Sequence, residues 1–113
     1  MIKDYVAHTN DSLRAAVTEY FVDKPWAERR HGKIGTWDVG RVTDMSRLCW
    51  DRRSFNDPGI AAWDTSSVTT MAQMFWYCAK FRGDGIDAWD ISSLTRMDRA
   101  FAGCYVFMLT SVL

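Results

Sequence analysis

The stretch Trp63-Asp64-Thr65-Ser66-Ser67-Val68-Thr69-Thr70-Met71 decides the fold, because related copies precede and follow it in the chain. Trp37-Asp38, Trp63-Asp64 and Trp89-Asp90 lie at a constant interval of 26 residues. An isoleucine stands three residues before each Trp, and a Thr-x-Met motif follows each pair. A repeat of this length is typical of proteins in which each unit buries its apolar face only against its neighbours.

Two local patterns alternate inside each repeat. The segment Gly59-Ile60-Ala61-Ala62-Trp63 is too short for a helix and predicts a short strand. Val68, Met71, Phe75 and Cys78 lie three or four residues apart, as on one face of a helix. The sequence therefore predicts an α/β fold, a leucine-rich-repeat-like solenoid of about three 26-residue strand-turn-helix units with an N-terminal helical cap.

The repeat register also predicts the domain organisation and the core. We expect a loose N-terminus at 1–8, a helical cap at 9–31, repeats at 32–57, 58–83 and 84–107, and an irregular apolar tail at 108–113. The residues that recur in register are expected to form the repeat core: Ile34, Trp37, Val42, Met45, Phe55, Ile60, Trp63, Val68, Met71, Phe75, Phe81, Ile86, Trp89, Leu94, Met97, Phe101 and Phe107.

The predicted cap rests on helix signals. Thr9-Asn10-Asp11-Ser12 is typical of a helix start, and an apolar stripe from Leu13 to Phe21 follows it at helical spacing. A second short helix is expected from Pro25 to His31, ending at Gly32.

Composition restricts the class of partner. The chain has 113 residues and a formal net charge of zero, which argues against nucleic acid, whose partners carry a basic excess. The basic clusters Arg29-Arg30-His31 and Arg52-Arg53 are interpreted as solvated surface. No secretory signal is visible, and the longest apolar run, 105–113, is too short to span a bilayer, so we predict no transmembrane segment.

Signals for chemistry are weak. The three cysteines are interpreted as structural thiols, with a Cys78–Cys104 disulfide as the alternative. The Asp38, Asp64 and Asp90 ladder could bind Ca²⁺, but the favoured interpretation is that each Asp accepts hydrogen bonds from the first amides of the next helix or lies solvated at a turn. With only two histidines and no phosphate loop, the sequence predicts no catalytic residues, no metal and no cofactor.

Aromatic residues supply the candidate binding positions. Trp37, Trp63 and Trp89 fit the inward-facing pattern and are expected in the core. Trp50 and Trp76 follow core positions, so one of them could face outward as a recognition anchor. The candidate partner-binding residues are Trp50, Trp76, Arg47, Gln73 and Arg99.

The chain also resembles a known repeat family. The stretches 37–48 and 63–71, with Met74-Phe75 and the Phe55-Asn56-Asp57 turn, are similar to BspA-like leucine-rich-repeat surface proteins, also described as the mycoplasma lipoprotein repeat of unknown function. The resemblance covers about residues 32 to 107. It implies a leucine-rich-repeat-like fold, and full-length relatives that lie at the cell surface or are secreted and act in adhesion and protein binding.

The predicted function is a non-enzymatic repeat module for protein–protein interaction or cell-surface adhesion. The partner would be a protein or glycan surface, and self-association through the C-terminal edge near Phe107 is a further expectation. Two alternatives stay open: a Ca²⁺-dependent or carbohydrate-binding adhesin, and a truncated fragment of a longer repeat protein without independent function.

Overall fold

Two consecutive helices precede the repeats. The computed structural model describes residues 7–107. Helix α1 spans Asn10–Val22 and begins with a capping box, in which Thr9 and Ser12 each accept a hydrogen bond from the other's backbone N–H. Helix α2 spans Lys24–His31 and ends at Gly32, whose φ of 81° lies in the left-handed region. These helices confirm the two helical segments expected from the sequence.

Helix α1 covers the first repeat with its apolar face. Leu13, Ala16, Val17 and Tyr20 are buried. The Tyr20 ring packs edge-on against Phe55, with centroids 6.2 Å apart. Because Phe55 closes the first repeat, the helix and the repeats share one core.

The predicted α/β leucine-rich-repeat-like solenoid is wrong, because the described residues contain no strand and no sheet. The segments expected to be strands are short 3-10 helices, at Ile34–Thr36, Pro58–Ala62 and Ile86–Ala88. In the second of these, the N–H of Trp63 bonds back to the carbonyl of Ile60 (3.0 Å) and so closes a local turn instead of a strand ladder. Within 7–107, parallel pairing is limited to isolated bridges, which join Asp44 to Thr70 and Thr70 to Arg96.

The segments expected to be helices inside the repeats are successions of turns. In the second repeat, the N–H of Met74 bonds to the carbonyl of Met71 (3.0 Å), three residues back. Gln73 and Tyr77 then reverse the helical course, because both adopt a left-handed φ of 57°. A run of left-handed residues every fourth position is incompatible with a helix. The same positions are left-handed in the neighbouring repeats: Arg47, Asp51, Arg99 and Gly103.

Backbone hydrogen bonds join each repeat to the next. Within each succession of turns, every second N–H group points sideways and donates to a carbonyl of the following repeat. The N–H of Phe75, for example, donates to the carbonyl of Ala100 (2.8 Å). The remaining N–H groups close turns within their own repeat. The sideways bonds are Met45 to Thr70, Arg47 to Ala72, Cys49 to Met74 and Asp51 to Trp76, then Met71 to Arg96, Gln73 to Asp98, Phe75 to Ala100 and Tyr77 to Ala102.

Aromatic stacking fills the core both within a repeat and between repeats, since the ring of Phe75 also stacks on that of Phe101 in the next repeat, with centroids 5.5 Å apart. The rings of Phe75 and Phe81 stack at 4.1 Å, and those of Phe101 and Phe107 at 4.3 Å. Trp63 Nε1 also donates to the Ile34 carbonyl (2.7 Å) of the preceding repeat, as Trp89 Nε1 does to the Ile60 carbonyl (3.0 Å). The buried polar N–H is thereby satisfied, and successive repeats are held in register.

The expected core residues fall into three groups. Ile86, Leu94, Phe101 and Phe107 are partly buried and pack against the core. Met97 departs from the expectation, because 47% of it is exposed. No later repeat within residues 7–107 covers it. The tail predicted for 108–113 lies outside the described residues, as do residues 1–6. The buried group is Ile34, Trp37, Val42, Met45, Phe55, Ile60, Trp63, Val68, Met71, Phe75, Phe81 and Trp89.

Candidate functional site

Two tryptophans stack on the surface of the repeats, where Trp50 is exposed and Trp76 is half-buried. The rings of Trp50 and Trp76 lie parallel, with centroids 4.9 Å apart and an interplanar angle of 7°. Trp50 is 42% exposed, and Tyr77 packs edge-on against Trp76 at 4.1 Å. Both Trp residues occupy the same repeat position, so the lateral backbone bonds set their spacing. The third repeat has Ala102 there, which ends the stack.

A polar row follows the same repeats. Arg47, Gln73 and Arg99 occupy one repeat position and share a left-handed φ of 56–57°. Arg47 Nε donates to Gln73 Oε1 at 2.7 Å, while Arg99 continues the row as an exposed side chain in the third repeat. The five candidate partner-binding residues thus form a Trp–Arg face, defined by Arg47, Trp50, Gln73, Trp76 and Arg99.

A surface cavity of about 310 Å³ adjoins this face, between α1 and the first repeat. Three of its lining residues are arginines: Arg14, Arg47 and Arg52. Arg14 pairs with Asp44 at 3.2 Å, and the guanidinium of Arg52 lies 4.5 Å from the centre of the Phe21 ring. The remaining lining residues are Thr18, Leu48 and Trp50.

No pattern in the sequence predicted Arg14, Thr18 or Arg52 at this site. Arg52 belongs to a basic pair interpreted as solvated surface, and Arg14 lies on a helix assigned to the cap. These residues converge only because α1 packs on the first repeat. Sequence spacing carries no signal for a contact between segments some 30 residues apart.

A second cavity, of about 460 Å³, lies where α1 and α2 meet the turn before the second repeat. Two of its polar lining residues, Tyr20 and Asp57, are engaged in hydrogen bonds within the fold. The Tyr20 hydroxyl donates to one Asp57 carboxylate oxygen (3.0 Å), and the other accepts from the Gly59 N–H (2.9 Å). Burial and the Asp57 carboxylate raise the pKa of Tyr20 above its usual range. This arrangement anchors α1 to the repeats.

The aspartate ladder is engaged in turns. Asp64 Oδ1 accepts from the Ser66 N–H (3.0 Å) and hydroxyl (2.6 Å), and Asp90 Oδ1 accepts from the Ser92 N–H (2.9 Å). The hydrogen bonds from Ser66 lower the pKa of Asp64, and those from Ser92 lower the pKa of Asp90. Among residues 7–107, no group of three or more His, Cys, Asp or Glu side chains could hold a metal ion.

The three cysteines are buried free thiols. Cys78 Sγ donates to the Cys49 carbonyl and Cys104 Sγ to the Phe75 carbonyl, each at 2.8 Å. The thiols of Cys78 and Cys104 therefore each donate to a carbonyl of the preceding repeat. Both are free, so the alternative of a Cys78–Cys104 disulfide does not apply to this structure. Burial raises the pKa of Cys78 to about 12 and that of Cys104 to about 11, which disfavours the nucleophilic thiolate.

The two histidines pack at the junction of cap and repeats. His8 Nδ1 lies 2.9 Å from Ser12 Oγ, the same oxygen that accepts the Thr9 N–H in the capping box of α1. His31 Nε2 lies 2.9 Å from a Glu19 carboxylate oxygen and so joins α2 to α1. Burial and the nearby His31 lower the pKa of His8. Both imidazole rings also pack against Trp37 of the first repeat, with centroids 5.5 Å and 5.6 Å away, so the histidines join the cap to the repeats.

Within the part of the chain described by the structure, no helix has both the length and the apolar character needed to cross a membrane. No curated protein matches the chain, and no solved structure does. A family model with the description "Mycoplasma protein of unknown function, DUF285" matches residues 16–111, which include the Trp–Arg face and every residue that lines the cavity beside it except Arg14. By that match the chain belongs to the DUF285 family of Mycoplasma proteins of unknown function.

Proposed function

We propose that the chain is a protein-interaction module that binds its partner through the Trp–Arg face. The observation that carries this proposal is the stack of Trp50 on Trp76, exposed beside the Arg47–Gln73 hydrogen bond. Tryptophan and arginine dominate the binding energy of protein interfaces, because both combine a large apolar area with directed polar contacts.

The geometry supports a preformed binding surface. Lateral backbone bonds from Arg47 to Ala72 (3.0 Å) and from Asp51 to Trp76 (2.7 Å) fix the two Trp-bearing segments side by side. A partner that contacts stacked, hydrogen-bonded side chains immobilises few additional rotors, which reduces the entropy lost on binding. The proposed mechanism is therefore recognition by a rigid surface.

The similarity of the repeats to those of BspA-like surface proteins, described above, supports the same functional class. Adhesion and protein binding both require a surface that contacts another macromolecule. We therefore propose protein binding as the activity, with adhesion as one biological setting for it.

Selection from a random peptide library on the immobilised full-length chain tests the proposal. We expect selected peptides to bind the wild-type chain and to lose at least about tenfold in affinity on Trp50→Ala or Trp76→Ala, since removing an anchoring Trp costs about 2 kcal/mol or more. The matched control is Trp26→Ala, because Trp26 on α2 is 45% exposed, close to the 42% of Trp50.

Two results would overturn the proposal. One is a library that yields no ligand for the wild-type chain. The other is a set of ligands whose affinity falls on Trp26→Ala but not on Trp50→Ala or Trp76→Ala. Thermal unfolding of each variant separates loss of binding from loss of fold.

A further inference from the structure

We propose that the cavity between α1 and the first repeat binds an acidic, extended peptide segment of a partner protein. The inference rests on the proposed function, since Arg47 and Trp50 belong both to the Trp–Arg face and to the cavity. It adds the chemical class of the partner.

The charge of the cavity wall favours an anionic ligand. Arg14, Arg47 and Arg52 line it, and the carboxylate of Asp44, paired with Arg14, adjoins them. Within residues 7–107, neither Arg47 nor Arg52 forms an ion pair. The chain as a whole has a formal net charge of zero, so this excess of positive charge is local. Guanidinium groups bind carboxylates through charge-assisted, often bidentate hydrogen bonds.

The guanidinium groups are held in place before a ligand arrives. Arg14 Nη2 donates to Asp44 Oδ1 (3.2 Å) and to Ser46 Oγ (3.3 Å). Arg47 donates to Gln73, and Arg52 lies over the Phe21 ring. Partial burial alone would raise the pKa of Asp44, but hydrogen bonds from Ser46 and the charge of Arg14 outweigh that effect, and the pKa lies below its usual value. Asp44 therefore stays ionised and keeps Arg14 oriented.

The backbone beside the cavity offers acceptors for a peptide. In the second repeat, the carbonyls of Met74 and Trp76 accept the N–H groups of the preceding repeat, Cys49 and Asp51. Leu48 and Trp50 occupy the equivalent positions in the first repeat, where α1 takes the place of a preceding repeat. Their carbonyls accept no hydrogen bond from residues 7–107, and both residues line the cavity.

These features together favour a peptide over other anions. An extended peptide can donate alternate N–H groups to the carbonyls of Leu48 and Trp50, as the sideways N–H groups do between repeats. Its acidic side chains can reach the arginines, and an apolar side chain between them can pack on Trp50. A free anion or a lipid headgroup could use the arginines, but it has no N–H groups for the carbonyl pair.

Fluorescence anisotropy with short labelled peptides and the full-length chain tests this inference. The first probe alternates Glu and Phe, the second alternates Lys and Phe, and the third is the Glu–Phe peptide with alternate backbone amides N-methylated. Inorganic phosphate and vesicles of phosphatidylglycerol and phosphatidylcholine serve as competitors. We expect saturable binding of the first probe only, weakened by salt and not displaced by either competitor.

Charge-removing variants locate the binding. Arg47→Gln and Arg52→Gln are each expected to weaken binding of the Glu–Phe peptide about tenfold, the size of one charge-assisted hydrogen bond. Arg53→Gln is the matched control. Arg53 follows Arg52 directly, its side chain is 75% exposed and pairs with Asp51, and it does not line the cavity.

Three results would overturn the inference: no binding of the Glu–Phe peptide, equal weakening by Arg53→Gln and Arg52→Gln, or displacement by phosphate or anionic vesicles with no effect of N-methylation. The last would show a general anion site or a membrane surface. If library-selected peptides still depend on Trp50 and Trp76 while the Glu–Phe peptide fails, only the acidic-peptide inference falls and the proposed function stands.

Discussion

The side-chain amide of Asn10 takes the place of a repeat backbone at Thr43. Asn10 Oδ1 accepts hydrogen bonds from the N–H groups of Thr43 (2.9 Å) and Asp44 (3.3 Å), and its Nδ2 donates to Thr43 Oγ1 (3.1 Å). One repeat later, the Thr43 carbonyl accepts from the N–H groups of Thr69 (2.8 Å) and Thr70 (3.3 Å). Asn10 therefore ends the row of repeats at its N-terminal side with the same hydrogen bonds that continue it elsewhere.

Replacement of Asn10 tests this capping role. We expect Asn10→Ala to lower the free energy of unfolding by about 1 kcal/mol, because two backbone N–H groups lose their acceptor. Asn10→Asp keeps the acceptor oxygens and should retain most of that stability. Chemical denaturation of the three chains measures the difference, and equal midpoints for wild type and Asn10→Ala would rule out the role.

Gly35 marks a close approach between the first two repeats. A Cβ at this position would lie 2.7 Å from the carbonyl oxygen of Gly59, a backbone atom that cannot move alone. We expect Gly35→Ala to destabilise the fold by about 1–3 kcal/mol. Gly40→Ala is the control, since its Cβ would meet the carboxylate ends of Asp64 (3.2 Å) and Asp38 (3.4 Å), which can rotate away. A loss no larger than that of Gly40→Ala would refute the close contact.

The repeated methionines give a matched comparison of burial. Met71 is 3% exposed and Met97 is 47% exposed, although both occupy the same repeat position. We expect Met71→Ala to cost about 2–5 kcal/mol of stability and Met97→Ala to change it by less than about 0.5 kcal/mol. Similar losses measured by urea unfolding would mean that the third repeat is covered as fully as the second.

The buried thiols make stability depend on alkaline pH. A cysteine in the unfolded chain ionises near pH 9, whereas burial raises the folded pKa of Cys104 to about 11 and that of Cys78 to about 12. Above pH 9 the unfolded chain therefore binds fewer protons, and stability falls as pH rises through this window. We expect a decrease in unfolding free energy from pH 9 to about 11, smaller in Cys78→Ala. An unchanged slope in Cys78→Ala would contradict the assignment to that thiol.

The repeat register could be predicted from the sequence, but the local backbone could not. The 26-residue period placed Trp63 and Phe75 in the interior, where the structure has them. The spacing of Met71, Phe75 and Cys78 fits a helix as well as a succession of turns, because both bring every third or fourth side chain to one side. The residues with a left-handed φ, such as Gln73 and Tyr77, exclude the helix and leave the succession of turns.

Residue type does not reveal those left-handed positions. Gly103 is a glycine, but Arg47, Gln73 and Arg99 have side chains that ordinarily avoid a φ near +57°. The binding candidates divide in the same way. Trp50, Trp76 and Arg47 could be named from the register, whereas Arg14 and Arg52 join Arg47 at the cavity only through the packing of α1.

Mapping a bound ligand by amide chemical shifts tests the central claim most directly. The full-length chain, labelled with ¹⁵N, would be titrated with a peptide selected from the library. We expect the largest shifts at Arg47, Trp50, Gln73 and Trp76, with little change at Val22 and Trp26 on the cap helices. The largest shifts at Trp26, or at the exposed edge around Met97 and Tyr105, with the Trp–Arg face unchanged, would contradict it.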